Sequence, residues 1–206
     1  MVKVKICGIT SRKDAFLALD AGADALGFNL IPSSRRYIAP PAARAIVAAL
    51  PPFVTPVGVF ANTASGIVRR QAAFCGFDLA QLHGDETPGE VGALAKSLPV
   101  IKAIRVRAAA DIRRAASFVR AKLLLFDSFD RTRLGGTGAT FDWKLLRRPK
   151  GGLPFLLAGG LTPANVAEAV RAVRPYGVDV ASGVESVPGR KERGRLERFI
   201  RAAKNA

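Results

Sequence analysis

The 206-residue chain is poor in the residues that staple or metallate small proteins: two cysteines, one histidine, one tryptophan. Cys7 and Cys75 are too few for a disulfide framework or a four-cysteine zinc site. A single histidine, His83, excludes a multi-histidine metal centre, and no acidic cluster stands in for one. No apolar run approaches the roughly 20 residues of a membrane helix. The opening segment Met1–Cys7 reads as a strand and lacks the apolar core and cleavage site of a signal peptide, so the expected location is cytoplasmic. No Gly-x-Gly-x-x-Gly turn follows that first strand, which disfavours an open dinucleotide-binding sheet. Acids are scarce as well: 16 against 32 Lys and Arg, a net charge of +16. That balance makes a polyanion partner a live reading. The basic residues are spread over many segments without interleaved aromatics, however, so no specific nucleic-acid partner is expected. Their remaining consequence is attraction of small anionic substrates.

What is present is a regular alternation. Hydrophobic residues make up 49% of the chain, enough for a globular core. Short Val/Ile/Leu/Phe runs are expected as strands at 2–6, 25–30, 55–60, 79–82, 100–104, 123–127, 155–158 and 178–181. Helices are expected at 12–21, 41–50, 64–74, 88–97, 109–119, 141–146, 163–173 and 191–203. Nearly continuous apolar strands between helices indicate a parallel sheet buried on both faces. Thr10 or Ser11, Thr87-Pro88 and Thr162-Pro163 read as helix starts. Gly-x-Asp recurs after helices at Gly22, Gly76 and Gly177, and each Gly is expected as a C-terminal cap. The spacing fits two and four units of roughly 25–27 residues, and eight such units fill the chain. The expectation is α/β, a single (β/α)8 TIM barrel of near-minimal size over residues 1–206.

A barrel of this kind carries its active site at the C-terminal ends of its strands, and the unusual residues fall there. Gly159-Gly160 follows strand seven and Ser182-Gly183 follows strand eight. These are the two loops from which such barrels build a phosphate site, although Gly-Gly also makes a plain tight turn. A long loop, Ser128–Thr140, carries Gly135-Gly136-Thr137-Gly138 and reads either as a ligand clamp or as a loop without contacts. Cys7 ends strand one; it is a buried apolar residue or a reactive thiol whose pKa the following helix draws down. Asp127 ends strand six and either caps a loop or moves protons. His83 shares the mouth, but no serine–carboxylate partnership suggests a triad.

Lys5-Ile6-Cys7-Gly8-Ile9-Thr10 is similar to the opening signature of the phosphoribosylanthranilate isomerases of tryptophan biosynthesis. The resemblance runs on through Gly22–Phe28, Arg36-Tyr37-Ile38, Val57–Phe60, Gln81–Gly84, Gly135–Gly138, Leu157–Leu161 and Asp179–Glu185, in the family's order. It implies an Amadori rearrangement of N-(5-phosphoribosyl)anthranilate to 1-(2-carboxyphenylamino)-1-deoxyribulose 5-phosphate. It also implies Cys7 as general base, Asp127 as general acid, and no cofactor or metal. Arg36 is implied as the partner of the anthranilate carboxylate, with Gln81, His83 and Asp179 lining the substrate. Gly136, Gly159, Gly160, Ser182 and Gly183 are expected at the phosphate. The expected partner is thus a phosphorylated small molecule and not a membrane, and the protein a monomer or homodimer. Two departures stand out. Ser34-Arg35-Arg36 replaces the usual Ser-Pro-Arg, which leaves two arginines for one role, and Asn29 is more polar than the usual residue. A sugar-phosphate epimerase would share the glycine loops but needs metal ligands or another acid–base pair. A nucleic-acid binder would account for the charge alone.

Overall fold

A computed structural model describes residues 1–128, Leu146 and 152–206. Eight parallel strands close into a barrel in sequence order. They are β1 Lys3–Cys7, β2 Ala25–Asn29, β3 Thr55–Phe60, β4 Leu79–Leu82, β5 Val100–Val106, β6 Leu123–Ser128, β7 Phe155–Ala158 and β8 Gly177–Val180. Register partners such as Lys5↔Asp179 between β1 and β8 close the ring. Seven helices pack outside it among the described residues: α1 Arg12–Asp20, α2 Pro40–Val47, α3 Ser65–Cys75, α4 Pro88–Ala95, α5 Ala109–Ala115, α6 Val166–Val173 and α7 Arg193–Lys204. A short antiparallel pair, β9 Glu185–Val187 with β10 Arg190–Lys191, follows β8.

Side chains alternate across each strand, so every strand feeds two cores. The outward residues, among them Ile6, Phe28, Ile104, Phe126 and Leu157, join the helices in the large core. The inward residues Val57, Ile101, Ala103, Leu123, Leu125, Leu156 and Ala158 form a second cluster inside the barrel. That cluster plugs the lower barrel, and the inward positions above it on β5 and β6 are the polar Arg105 and Asp127. Gly58 lets the outer core close tightly, because a Cβ there would strike the ring of Phe77, which stacks on Phe28 at 5.6 Å.

Local chemistry sets the helix ends. The Ser11 side chain accepts from the Asp14 N–H and starts α1. Thr87 starts α4 in a reciprocal capping box with Glu90. Gly76 takes a left-handed φ of 76° and ends α3, as the Gly-x-Asp repeat predicts. Three expectations fail. Gly177 is not a cap: it begins β8, where a Cβ would meet Leu156 and the Lys3 carbonyl, and Arg174 takes the left-handed cap of α6 at φ 51°. Thr162-Pro163 does not start that helix either. The Thr162 N–H donates to Asn165 Oδ1 in a preceding turn, and α6 begins at Val166. Likewise Lys191 belongs to β10 and not to the last helix. The helix expected at 141–146 and the loop holding Gly136 lie outside the described residues, apart from Leu146.

Candidate active site

Alternation carries Cys7, Arg105 and Asp127 to the inner face at the tops of β1, β5 and β6, with His83 just beyond β4. One step deeper sit Lys5, Gln81 and Asp179, all buried. Lys5 Nζ lies 2.8 Å from Asp179 Oδ1. Asp179 is therefore an interior partner and not merely a strand start. Lys5 also reaches the Cys7 thiol two residues on. Gly27 on the adjoining strand makes this possible: a Cβ there would stand 2.8 Å from Cys7 Sγ and 3.0 Å from Lys5 Nζ.

The Cys7 thiol is pushed up from its ordinary value, first by burial and further by the Asp179 carboxylate; the Lys5 and Lys191 ammonium groups oppose the rise. The downward pull expected from the start of α1 is not what governs it. Burial outweighs the cations, because removing a thiolate from water costs more than two partly shared ammonium groups return.

A second cluster joins the β1 end to the segment after β8. Arg36 Nε donates to Glu185 Oε1 at 2.9 Å, and Nη2 donates to Oε2 at 2.6 Å. Lys191 Nζ reaches Glu185 Oε1 at 2.8 Å and the Cys7 carbonyl at 2.5 Å. Burial alone would raise the Glu185 carboxyl, but Arg36 and Lys191 hold it below the usual carboxylate range. Gly8, at φ 77°, lies under the Arg36 stem, where any Cβ would collide with Arg36 Cδ. Arg35 is exposed, so of the two neighbouring arginines Arg36 is the one held at the mouth.

The two departures from the family pattern turn out to be linked. Asn29 Nδ2 donates to Ser34 Oγ at 3.0 Å, and Ser34 Oγ also accepts from the Arg36 N–H at 3.1 Å. Asn29 Oδ1 accepts from the Ile31 N–H. These bonds brace the loop that carries Arg36 without the proline.

At the opposite side of the mouth, His83 Nε2 lies 3.2 Å from Asp127 Oδ2, and His83 Nδ1 lies 3.1 Å from Gln81 Nε2. Arg105 Nη2 donates to the His83 carbonyl at 2.7 Å. Between them, the loops after β7 and β8 touch. Gly159 and Gly160 take left-handed φ values of 87° and 62°, and Gly183 rests on the Leu161 carbonyl so closely that no Cβ fits. Ser182–Val184 form a single 3-10 turn. Sequence reasoning set Arg105 and Glu185 among the strand-end residues without giving them a role, and missed Lys5 and Lys191 as site residues. Lys5 left a usable signal, a lysine two residues before Cys7 and hence on the same face of an otherwise apolar strand. Glu185 and Lys191 pair with each other six positions apart, but their contacts to Arg36 and the Cys7 carbonyl lie more than 140 residues away along the chain.

Comparison with known proteins agrees with this arrangement. Residues 4–202 match the family model for N-(5'-phosphoribosyl)anthranilate (PRA) isomerase. The N-(5'-phosphoribosyl)anthranilate isomerase of Geobacter sulfurreducens is 48% identical over 204 residues, 99% of each chain. The crystal structure of the phosphoribosyl anthranilate isomerase of Thermotoga maritima superposes with a TM-score of 0.94 at 42% identity, covering all of both chains. Another, solved with reduced 1-(o-carboxyphenylamino)-1-deoxyribulose 5-phosphate, gives 0.90 at 40% identity with the same coverage. The chain belongs to the N-(5'-phosphoribosyl)anthranilate isomerase family.

Proposed function

We propose that the chain isomerises N-(5-phosphoribosyl)anthranilate to 1-(2-carboxyphenylamino)-1-deoxyribulose 5-phosphate in tryptophan biosynthesis, with Cys7 as general base and Asp127 as general acid. The observation that carries this reading is the mouth itself. A thiol beside an ammonium group at the top of β1 and a carboxyl at the top of β6 share one inner face. The relative bound to a reduced form of that product supports the substrate class.

The chemistry follows from these groups. Asp127 protonates the ribose ring oxygen, the C1–O bond breaks, and the anthranilate nitrogen lone pair forms an iminium at C1. That cation acidifies the C2 proton, which Cys7 removes as thiolate, leaving an enolamine. The enol then becomes the C2 ketone as C1 takes up a proton. C1 is reduced by what C2 loses, so electrons balance within the substrate and no external acceptor is required. This is an intramolecular oxidoreduction run on acid–base catalysis alone, each group contributing roughly 10²–10⁴-fold. Lys5, and Lys191 beyond it, favour the thiolate against its burial.

Arg36 presents its remaining guanidinium edge to the anthranilate carboxylate, with Glu185 fixing the plane of the group. His83 and Asp179 line the sugar, with Gln81 beneath His83. Gly159, Gly160, Ser182 and Gly183 offer backbone N–H groups to the phosphate, a task glycine suits because it permits close approach. A Thermotoga maritima structure, 38% identical, is of monomers generated from a dimeric phosphoribosylanthranilate isomerase; this chain acts as a monomer or homodimer. No helix among the described residues is long and apolar enough to cross a membrane, in keeping with a biosynthetic enzyme of the cytoplasm. The test is incubation with freshly generated N-(5-phosphoribosyl)anthranilate. Loss of the substrate's fluorescence well above the buffer rate is expected, and no loss from folded protein would sink the reading.

A further inference from the structure

Gln81, His83 and Asp127 form one line of contacts across the mouth, and we propose that Gln81 is a positioning residue that locks His83 in the tautomer with its Nε2 proton toward Asp127. The inference rests on the reading of Asp127 as the acid.

A neutral imidazole carries one proton, on Nδ1 or on Nε2. With the proton on Nε2, both observed contacts are electrostatically favourable. The Gln81 amide donates to Nδ1 across 3.1 Å, and an Nε2 proton lies against the Asp127 carboxyl, with Nε2 3.2 Å from Oδ2. With the proton on Nδ1, neither is. Nδ1–H would then face the amide N–H groups, and the Nε2 lone pair would face a carboxylate oxygen. The ring cannot slide away from this choice. The His83 N–H is tied to the Phe60 carbonyl at 2.8 Å, and its own carbonyl accepts from Arg105.

Gln81 itself points to the same role. It is 1% exposed, too deep beneath His83 to meet substrate first. Its Oε1 is buried without a hydrogen-bond partner among the described residues. A buried amide in that state is destabilising, and its other end is the one on His83, which gives a reason for keeping it there.

The consequence concerns the path of a proton. An Nε2–H ring can donate to Asp127 but cannot accept from it. The acidic proton of Asp127 is therefore kept for Oδ1 and the substrate ring oxygen, and is not drained into the imidazole. Once that proton has left, Nε2–H stabilises the carboxylate that remains, which favours the transfer. Second-layer partners that fix an imidazole tautomer at metal sites are worth roughly 10–100-fold.

His83 is the only histidine in the chain, so protein labelled with ¹⁵N-histidine gives one imidazole spectrum. Long-range ¹H–¹⁵N correlation of the full chain, at a pH where the ring is neutral, reads the tautomer directly. Wild type is expected as Nε2–H. Gln81→Glu, which offers an acceptor, should place a proton on Nδ1. Gln81→Met should lose the fixed tautomer and about tenfold in kcat, with KM little changed. An Nδ1–H ring in wild type overturns the proposal, even if no variant folds. So does Gln81→Met with the wild-type tautomer, whether or not kcat falls, since any effect would then reach activity by another route. The spectrum is independent of turnover. A wrong tautomer in active protein removes the role of Gln81 alone, whereas the expected tautomer in protein that does not turn over removes the isomerase reading.

Discussion

A thiol raised by its own burial is a poor base unless a cation stands beside it. Lys5 is that cation at Cys7, and the Lys5–Asp179 pair is buried on both sides. Replacing Lys5 by Met leaves the thiolate facing Asp179, with Lys191 and the more distant Arg36 to help. The sign is clear: losing a positive neighbour raises the thiol further. The alkaline rise of kcat/KM should therefore begin at higher pH in Lys5→Met than in wild type, and activity at neutral pH should fall. A pH–rate profile that does not move would remove Lys5 from the chemistry. Glu185 titrates in the opposite sense. Its folded value lies below its unfolded one, so its contribution is complete above the unfolded value and is lost as pH falls through the folded one. Glu185→Gln strands two cations, and about 3–5 kcal/mol of stability at neutral pH should go with it. Denaturant melts through the acid range should also show a shallower pH dependence than in wild type. Cys7, Asp127 and Arg36 were readable in the sequence because each ends a strand or sits in a quoted motif. Lys191 was not, since its partners are the Cys7 carbonyl and Glu185, brought together only when the barrel closes.

The elements themselves were readable for a simple reason: buried parallel strands must be apolar on both faces, and the runs at 55–60, 79–82 and 155–158 coincide with β3, β4 and β7. Errors gathered at helix starts and strand edges. There, one side chain's hydrogen bond, such as Asn165 Oδ1 on the Thr162 N–H, outweighs a favourable dipeptide. The glycines behave differently from one another for equally local reasons. Gly160 has a left-handed φ but open space where a Cβ would point, whereas Gly183 is jammed on the Leu161 carbonyl. Gly183→Ala must part the loops after β7 and β8. Its KM for the phosphorylated substrate is expected to rise about tenfold or more, since misplacement near 1 Å costs up to roughly 100-fold. Gly160→Ala, strained by about 1–2 kcal/mol but unobstructed, should change KM much less. Equal effects in the two variants would mean that loop contact is irrelevant to phosphate binding. At α4, Thr87→Ala removes half of a capping box and should cost about 1 kcal/mol in thermal or denaturant unfolding.

Across the whole molecule the net charge of +16 acts on an anionic substrate carrying a phosphate and a carboxylate. Raising ionic strength from about 0.01 M to 0.1 M shortens the screening length from about 30 Å to 10 Å. kcat/KM should fall over that range while kcat holds, because screening slows capture and not the proton transfers inside the barrel. The closed ring also explains why one small domain can do this chemistry. Strand ends and the loops that follow them share one mouth, so groups as distant in sequence as Cys7 and Glu185 are joined through Lys191 without any long connecting structure. The most direct test of the account is turnover of N-(5-phosphoribosyl)anthranilate by wild type, Cys7→Ser and Asp127→Asn, each checked for folding. Rapid conversion by wild type, with each variant at least 100-fold slower, in line with about 10²–10⁴ per acid–base group, is the predicted result. Near-wild-type turnover by either folded variant would contradict it.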